Sequence, residues 1–410
     1  MRKSEGAAIP MQHKFEQITF LVGDIQRLTM LNKVPAHQPF APEIMAFIDT
    51  FSQCLFQLPD VKLWSDVASL AFWCRPASLR QMQSRYADLE HRLGRGAAFH
   101  IAPANVAVNF AYSLLAGLLA GNANVVRLPG KDFVQVAMIC SALRQALSDH
   151  PHIAPYIVLV RYDKQKDVND ALSLLCQTRL IWGGDNTIAT LRQSPLGPRA
   201  LDITFANRHS FSVIDAQGYL DTGNKERIAN DFYNDTLHSD QNACSSPGLV
   251  VWLGENSQVR KEAQHLFWAH FDRIVQARYT LQAASAVQKL TQFCLLSAQV
   301  EGVKRYPVSH NRLIRVELPQ LSSESLSYSG TCGYFLEYHV DVLRDILPLC
   351  GSTCQTLSYC GIESAALAEF IMTYKPAGVD RLVEIGQALQ FTLQWDGHDL
   401  IYMLTRIINV

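Results

Sequence analysis

The chain has 410 residues, room for two or three domains of about 150 residues each, which argues against a peptide hormone, a small disulfide scaffold or a single-domain binding module. Apolar residues make up 48% and charged residues 18%, an ordinary globular composition without the excess of Pro, Gly or charge that marks disorder. Lys plus Arg number 36 against 37 Asp plus Glu, a formal net charge of −1, so there is no global electrostatic footprint for nucleic acid or an acidic membrane.

The opening MRKSEGAAIPMQHKFEQ carries two early basic residues but no apolar stretch of about 7–15 residues behind them, and no secretory signal is expected. Ten cysteines are too dilute for a disulfide framework, and their spacings contain no repeated pair of the kind a zinc site needs. Cys350, Cys354 and Cys360 cluster, yet no His stands at ligand spacing, so they read as small core residues near a turn and no metal is expected. Both observations fit a reducing, cytoplasmic compartment.

Helical patterning fills the first hundred residues, with PEIMAFIDTFSQCLFQL as a helix and SLRQMQSRYADLEHRLG as an exposed amphipathic one. From Ala97 the texture changes. AAFHIAPANVAVN reads as a strand running into a Pro-Ala-Asn turn, followed by a buried helix, a Gly-Asn stop and the strand of NANVVRLPGK. The window from Ile101 to Ala120 approaches the length of a membrane span, but Pro103, Asn105 and Asn109 break it, so a buried helix is expected and no span. The alternation continues with a helix from Phe133 to Ser148 and a strand from Tyr156 to Val160. A helix from Val168 to Gln177 and a strand from Thr178 to Trp182 then lead into GGDNTIATLR. This is the βαβ grammar of a parallel sheet covered by helices, and a strand followed by two glycines and a helix start suits folds that bind nucleotides. After SFSVID at 210 to 215, the polar AQGYLDTGNKER reads as a domain crossover. The second unit opens with a helix from Ala229 to Leu237 and the strand in DQNACSSPGLVVWLG. A long helix from Ser257 to Arg278 follows, with mixed elements to about Lys375. The last 35 residues return to strand and turn signals.

Cys244 stands out among the cysteines: small and polar neighbours flank it, and Pro247-Gly248 forces a turn beside it. A nucleophile needs that access, although a loop cysteine of no consequence would look the same. Asn105, in the Pro-Ala-Asn turn, is either a buried amide that donates to a developing oxyanion or a helix N-cap. Arg127 and Lys131, after the strand, suit phosphate recognition or a solvated loop. His238 lies six residues before Cys244, so a Cys/His pair is conceivable on spacing alone. His100 and His398 read as hydrogen-bonded structural groups.

Taken together, HIAPANVAVNFAYSLLAGLLAGNANVVRLPGK, IWGGDNTI, DITFANRHSFSVID, DQNACSSPGLVVW and GVDRLVEIGQALQFTLQWDGHDL resemble the acyl-CoA reductases of the LuxC type, known from bacterial luminescence operons, which belong to the aldehyde dehydrogenase superfamily. The resemblance spans about residues 97–410. It implies an α/β, aldehyde dehydrogenase-like fold: a Rossmann-like cofactor lobe over 1–215, completed by part of 376–410, and an α/β catalytic lobe over 216–375. It further implies Cys244 as the nucleophile that takes the acyl group and Asn105 as the oxyanion amide, with Ala104 in the superfamily's Trp place. The dinucleotide pyrophosphate would lie near the helix that begins after Gly183 and Gly184.

Two departures from ordinary aldehyde dehydrogenases sharpen the expectation. Where those enzymes usually carry Lys-Pro-Ser-Glu, this chain reads Leu-Pro-Gly-Lys, so Lys131, with Arg127 nearby, replaces a ribose-binding acid and favours NADPH. The segment matching Glu-Leu-Gly-Gly-Lys contains no acidic residue between Asp202 and Asp215, so activation of water should be weak and reduction favoured over oxidation. The implied reaction is NADPH-dependent reduction of an acyl-CoA, or another acyl thioester, to the aldehyde in a homo-oligomer, with an acyl-transferase or synthetase partner in view. The alternatives are a cysteine-dependent thioesterase or acyltransferase without redox cofactor, and a non-catalytic subunit of an acyl-processing complex.

Overall fold

The computed structural model describes residues 15–307 and 309–409. Most of the opening stretch read for a secretory signal, residues 1–14, lies outside them. The chain divides into two compact units, one running to Ala206 and resuming at His398, the other Asn207–Gly397.

The first unit holds strands β1 (Thr19–Val22), β2 (Arg92–Gly94), β3 (Ala97–Ile101), β4 (Ala123–Arg127), β5 (Ile157–Arg161), β6 (Thr178–Trp182) and β7 (Leu201–Phe205). Six of these form one sheet in the order β1-β5-β4-β3-β6-β7, parallel from β3 to β7, with β1 antiparallel at the edge. All residues of β3 and β6 are buried, as a parallel sheet covered on both faces requires.

The helix Asn109–Leu119 is almost entirely buried, and its small residues let it lie against a polar knot in the sheet. His100 Nε2 meets Asn124 Oδ1 at 3.0 Å and His100 Nδ1 meets Ser113 Oγ at 2.8 Å, while Trp182 Nε1 donates to Ser113 Oγ at 2.9 Å. Burial drives His100 down to about 4, so the ring is neutral near pH 7 and serves as a satisfied core group. Gly117 permits this approach, because a Cβ there would sit 2.0 Å from Asn124 Oδ1. The helix stops at Gly121, whose φ of +84° and closeness to the His37 carbonyl exclude a side chain.

The second unit carries β8 (His209–Asp215), β9 (Pro247–Leu253), β10 (Lys304–Arg305), β11 (Ile314–Glu317), β12 (Tyr334–Val340), β13 (Cys354–Cys360) and β14 (Arg381–Glu384), in the order β10-β11-β12-β9-β8-β13-β14. All neighbours are parallel except β10 with β11. The helix Ser257–Arg278 packs an aromatic core of Phe267, Trp268 and Phe271 against Trp252 and Phe335. Inside that layer the fully buried Glu337 accepts from Trp252 Nε1, Gln264 Nε2, Trp268 Nε1 and Arg315 Nε at 2.6–2.8 Å.

Several local expectations are overturned. SLRQMQSRYADLEHRLG is not one long helix: a helix covers only Pro76–Gln83, and the end of the stretch becomes β2, paired antiparallel with the strand Thr405–Ile407. A partner more than three hundred residues away outweighs local propensity here. The polar stretch after Asp215 is helical over Ala216–Asp221 and again from Lys225, because the side chains of Asp215 and Asn224 cap both starts. A short helix, Leu400–Leu404, interrupts the C-terminal strand and turn segment, capped by Asp399. Cys350 and Cys354 are buried and Cys360 half-buried. No helix among the described residues is long and apolar enough to cross a membrane.

Candidate active site

Within the parallel part of the first unit's sheet the chain starts at β3, builds outward through β4 and β5 on one side, where β1 already forms the antiparallel edge, then crosses back to lay down β6 and β7 on the other. The carboxyl ends of β3 and β6 therefore flank the point where the winding reverses, the place where open parallel sheets bind ligands. Asn105, Arg127, Lys131, Gly183 and Gly184 all lie in or next to the segments leaving β3, β4 and β6.

Asn105 sits in an irregular segment and is exposed. The amide is exposed where burial was expected, and the N-cap reading is corrected, since the helix N-cap is Val108 and no side chain caps it. Arg127 closes β4 half-buried, its guanidinium 4.5 Å from the Tyr162 ring, with Nη2 donating to the Tyr162 carbonyl at 3.4 Å. Lys131 is exposed, its ammonium 5.0 Å from the Phe133 ring. Gly184 is the N-cap of the helix Asp185–Leu191; a Cβ there would meet nothing within 4 Å, whereas one on Gly183 would meet Thr187 Cγ2 at 3.3 Å. No side chain caps this seven-residue helix, and Asp185 in its first turn opposes an anion.

In the second unit Cys244 occupies the tight turn before β9. Asp240 and Gln241 both take left-handed backbone conformations. The turn is held in place by buried groups: Gln241 Oε1 accepts from the Gly333 N–H at 2.7 Å, and Ser210 Oγ donates to the Cys244 carbonyl at 2.7 Å. The thiol itself is half-buried. Gln355 Nε2 donates to Sγ at 3.7 Å and also to Asp396 Oδ1, and Arg208 Nη1 lies 3.8 Å from that same carboxylate oxygen. Burial first, and Asp396 second, raise the thiol above its ordinary value, against the lowering influence of its own N–H, Gln355 and Arg208. His238 is exposed on the short 3-10 helix Leu237–Ser239, and the sulfur takes its hydrogen bond from Gln355.

Gln355, Asp396, Arg208 and Ser210 are absent from the candidates drawn from sequence. Asp396-Gly397 carries the turn dipeptide signal, and both residues have positive φ. Nothing in TCQTLSYC singles out Gln355, one of several polar residues along a strand.

This arrangement of two parallel α/β units is the fold of the aldehyde dehydrogenases. A salicylaldehyde dehydrogenase from Pseudomonas putida G7 matches with a TM-score of 0.65 at 11% identity, over 97% of this chain and 88% of that one. An NAD-dependent benzaldehyde dehydrogenase from Corynebacterium glutamicum matches at 0.63 and 12%, over 95% and 94%. Within that fold class the chain belongs to the Acyl-CoA reductase (LuxC) family, whose profile matches residues 35–410. A long-chain acyl-protein thioester reductase of Vibrio harveyi is 23% identical over 324 residues, 77% of this chain and 63% of that protein. Its counterpart in Aliivibrio fischeri is 24% identical over 164 residues, 40% of this chain and 33% of that protein. The chain thus spans less than two thirds of the curated relatives it matches.

Proposed function

We propose that the protein reduces an acyl thioester to the aldehyde through an acyl group carried on Cys244, with NADPH as reductant. The observation that carries this reading is the state of Cys244: half-buried, fixed in a turn by Ser210 and given a polar donor by Gln355. The family match and the relatives' names, which specify acyl-protein thioester reduction, support the reaction class.

The first unit fits a dinucleotide. Its winding reverses at β3 and β6, and Gly184 leaves the helix start open. Gly183 and Gly184 would admit the pyrophosphate, and Arg127 with Lys131 the 2′-phosphate. When bound, the reduced nicotinamide supplies hydride. Cys244 Sγ forms a bond to the thioester carbonyl carbon, and the donor leaves as a thiolate. The Cys244 N–H would hold the oxyanion, a role the family resemblance also assigns to the Asn105 amide. After reduction, the oxyanion re-forms its C=O, the C–S bond breaks and its electron pair returns to Sγ. A raised thiol keeps the thiolate fraction small at neutral pH, so acylation should accelerate as pH rises from 7 toward 9.

The experiment is a single-turnover assay with long-chain acyl-CoA and acylated carrier protein, following NADPH absorbance. Cys244→Ala should abolish aldehyde formation, a loss of roughly 10⁴-fold or more. Retained activity in that variant overturns the assignment.

A further inference from the structure

The mechanism leaves unexplained a buried polar chain at the amino ends of β8, β9 and β13. Gln355 is fully buried in the strand CQTLSYC, a costly position for an amide unless it is hydrogen-bonded there. It falls at a break in the pairing of β13 with β8, where Cys354 faces His209 and Thr356 faces Ser210, leaving Gln355 as the extra residue. Such bulges re-aim a side chain, and they recur beside active sites. Here the re-aimed group is the amide that reaches Cys244 Sγ.

An amide has two ends, and only one can donate. Asp396, 8% exposed, accepts from Gln355 Nε2, and Thr356 Oγ1 donates to Gln355 Oε1 at 3.4 Å. Both contacts favour the rotamer that turns N–H toward sulfur. Asp396 is in turn backed by Arg208, which also donates to Asp380 Oδ2 at 2.7 Å and to the Cys354 carbonyl. Arg381, whose guanidinium lies 4.2 Å from the Trp395 ring, completes the charged surroundings with Asp235 beyond it.

Building on the proposed function, we infer that Gln355 is a catalytic residue that stabilises the Cys244 thiolate by donating its amide N–H, and that Asp396 is the positioning residue which orients that amide. The donor acts twice. It favours the thiolate before attack. It also receives the sulfur when the thiohemiacetal collapses, as the C–S bond breaks and the electron pair goes to Sγ. Asp396 exacts an electrostatic penalty, since a carboxylate so near disfavours a second negative charge. The two residues should therefore move the sulfur's titration in opposite directions.

The test is the pH profile of iodoacetamide alkylation at Cys244, read on its own peptide by mass spectrometry because Cys294 is also exposed. Gln355→Met keeps shape and removes the donor, so the Cys244 profile should shift upward by about one pH unit, with alkylation at pH 8 slowed about tenfold. Asp396→Asn keeps an acceptor oxygen and removes the charge, so its profile should shift downward. An unmoved Gln355→Met profile, or shifts of the same sign in both variants, overturns the inference. Should Gln355→Met fail to fold, Asp396→Asn decides alone, and an unshifted profile sinks the proposal. Alkylation needs neither substrate nor cofactor, so this outcome is separate from the fate of Cys244→Ala in the reductase assay.

Discussion

The two units solve the same problem, a polar site on an apolar sheet, in different ways. In the first, the candidate residues lie on segments leaving the carboxyl ends of parallel strands beside the point where the winding reverses, and Gly184 puts no side chain at the start of its helix. In the second, the site is at the amino ends and consists of side chains gathered from segments around 208, 244, 355 and 396. A site placed at the ends of strands follows from topology. One built from side chains depends on each partner keeping the next in place.

The buried charges extend the contrast and give the largest expected effect on stability. Glu337 is wholly enclosed and takes four donors, so Glu337→Met strands two indoles, an amide and a guanidinium. A loss of about 3–5 kcal/mol is expected in urea unfolding. Arg179 in the first unit is just as buried, with two bonds to Asp202 at 3.0 and 2.9 Å, but Asp202 is partly exposed and keeps Arg192 at 3.5 Å. Arg179→Met should fall at the lower end of the same range, and equal losses would break the comparison.

Asn105→Ala tests the first unit's side of the comparison. If the amide holds the oxyanion, kcat should fall by about 10²–10³ with little change in KM. Unchanged kcat would remove Asn105 from the site.

Smaller, but of opposite sign in the two units, are the effects of pH. His100 is lowered from 6.5 to about 4 by burial, so the unfolded chain binds its proton first. Stability from His100 is present above pH 6.5 and is lost as pH falls toward 4. Asp235 is raised from 3.8 to about 7, chiefly by burial, despite N–H donors at Gly386 and Ala388. Its contribution is fully present below 3.8 and is lost as pH rises through 7. Calorimetric melts at pH 5 and 7 should show His100→Asn with a reduced loss on acidification and Asp235→Asn with a reduced loss on alkalinisation. Shifts of the same sign would refute the contrast.

The smallest expected effect is on cofactor choice. Lys131 is exposed, so its attraction for a 2′-phosphate is screened. Lys131→Glu should lower the NADPH to NADH ratio of kcat/KM by roughly tenfold, and an unchanged ratio would dismiss the residue from phosphate binding.

Much of the architecture is legible from the chain itself. The alternation of apolar strands and helices from Ala97 to Trp182 marks a parallel sheet, and the strand at Thr178–Trp182 and the helix at Ser257–Arg278 match the expected bounds, because periodicity and caps are local signals. The turn around Cys244 is legible for the same reason, since Pro and Gly speak for themselves. What local signals cannot carry is a partner far along the chain. The strand Arg92–Gly94 exists only against Thr405–Ile407, and Asn105 has the composition of a buried cap yet is exposed.

The order of residues along this chain determined where strands and helices fall and which cysteine stands in an accessible bend, since each depends on a few neighbouring side chains. Tertiary structure alone decided that a glutamine on one strand and an aspartate in a distant turn meet at that sulfur. The physical reason is that hydrogen bonding in a buried site is set by distance and orientation in space, and one displaced residue in the pairing of β13 with β8 turns a side chain toward the thiol without leaving any mark in composition or spacing.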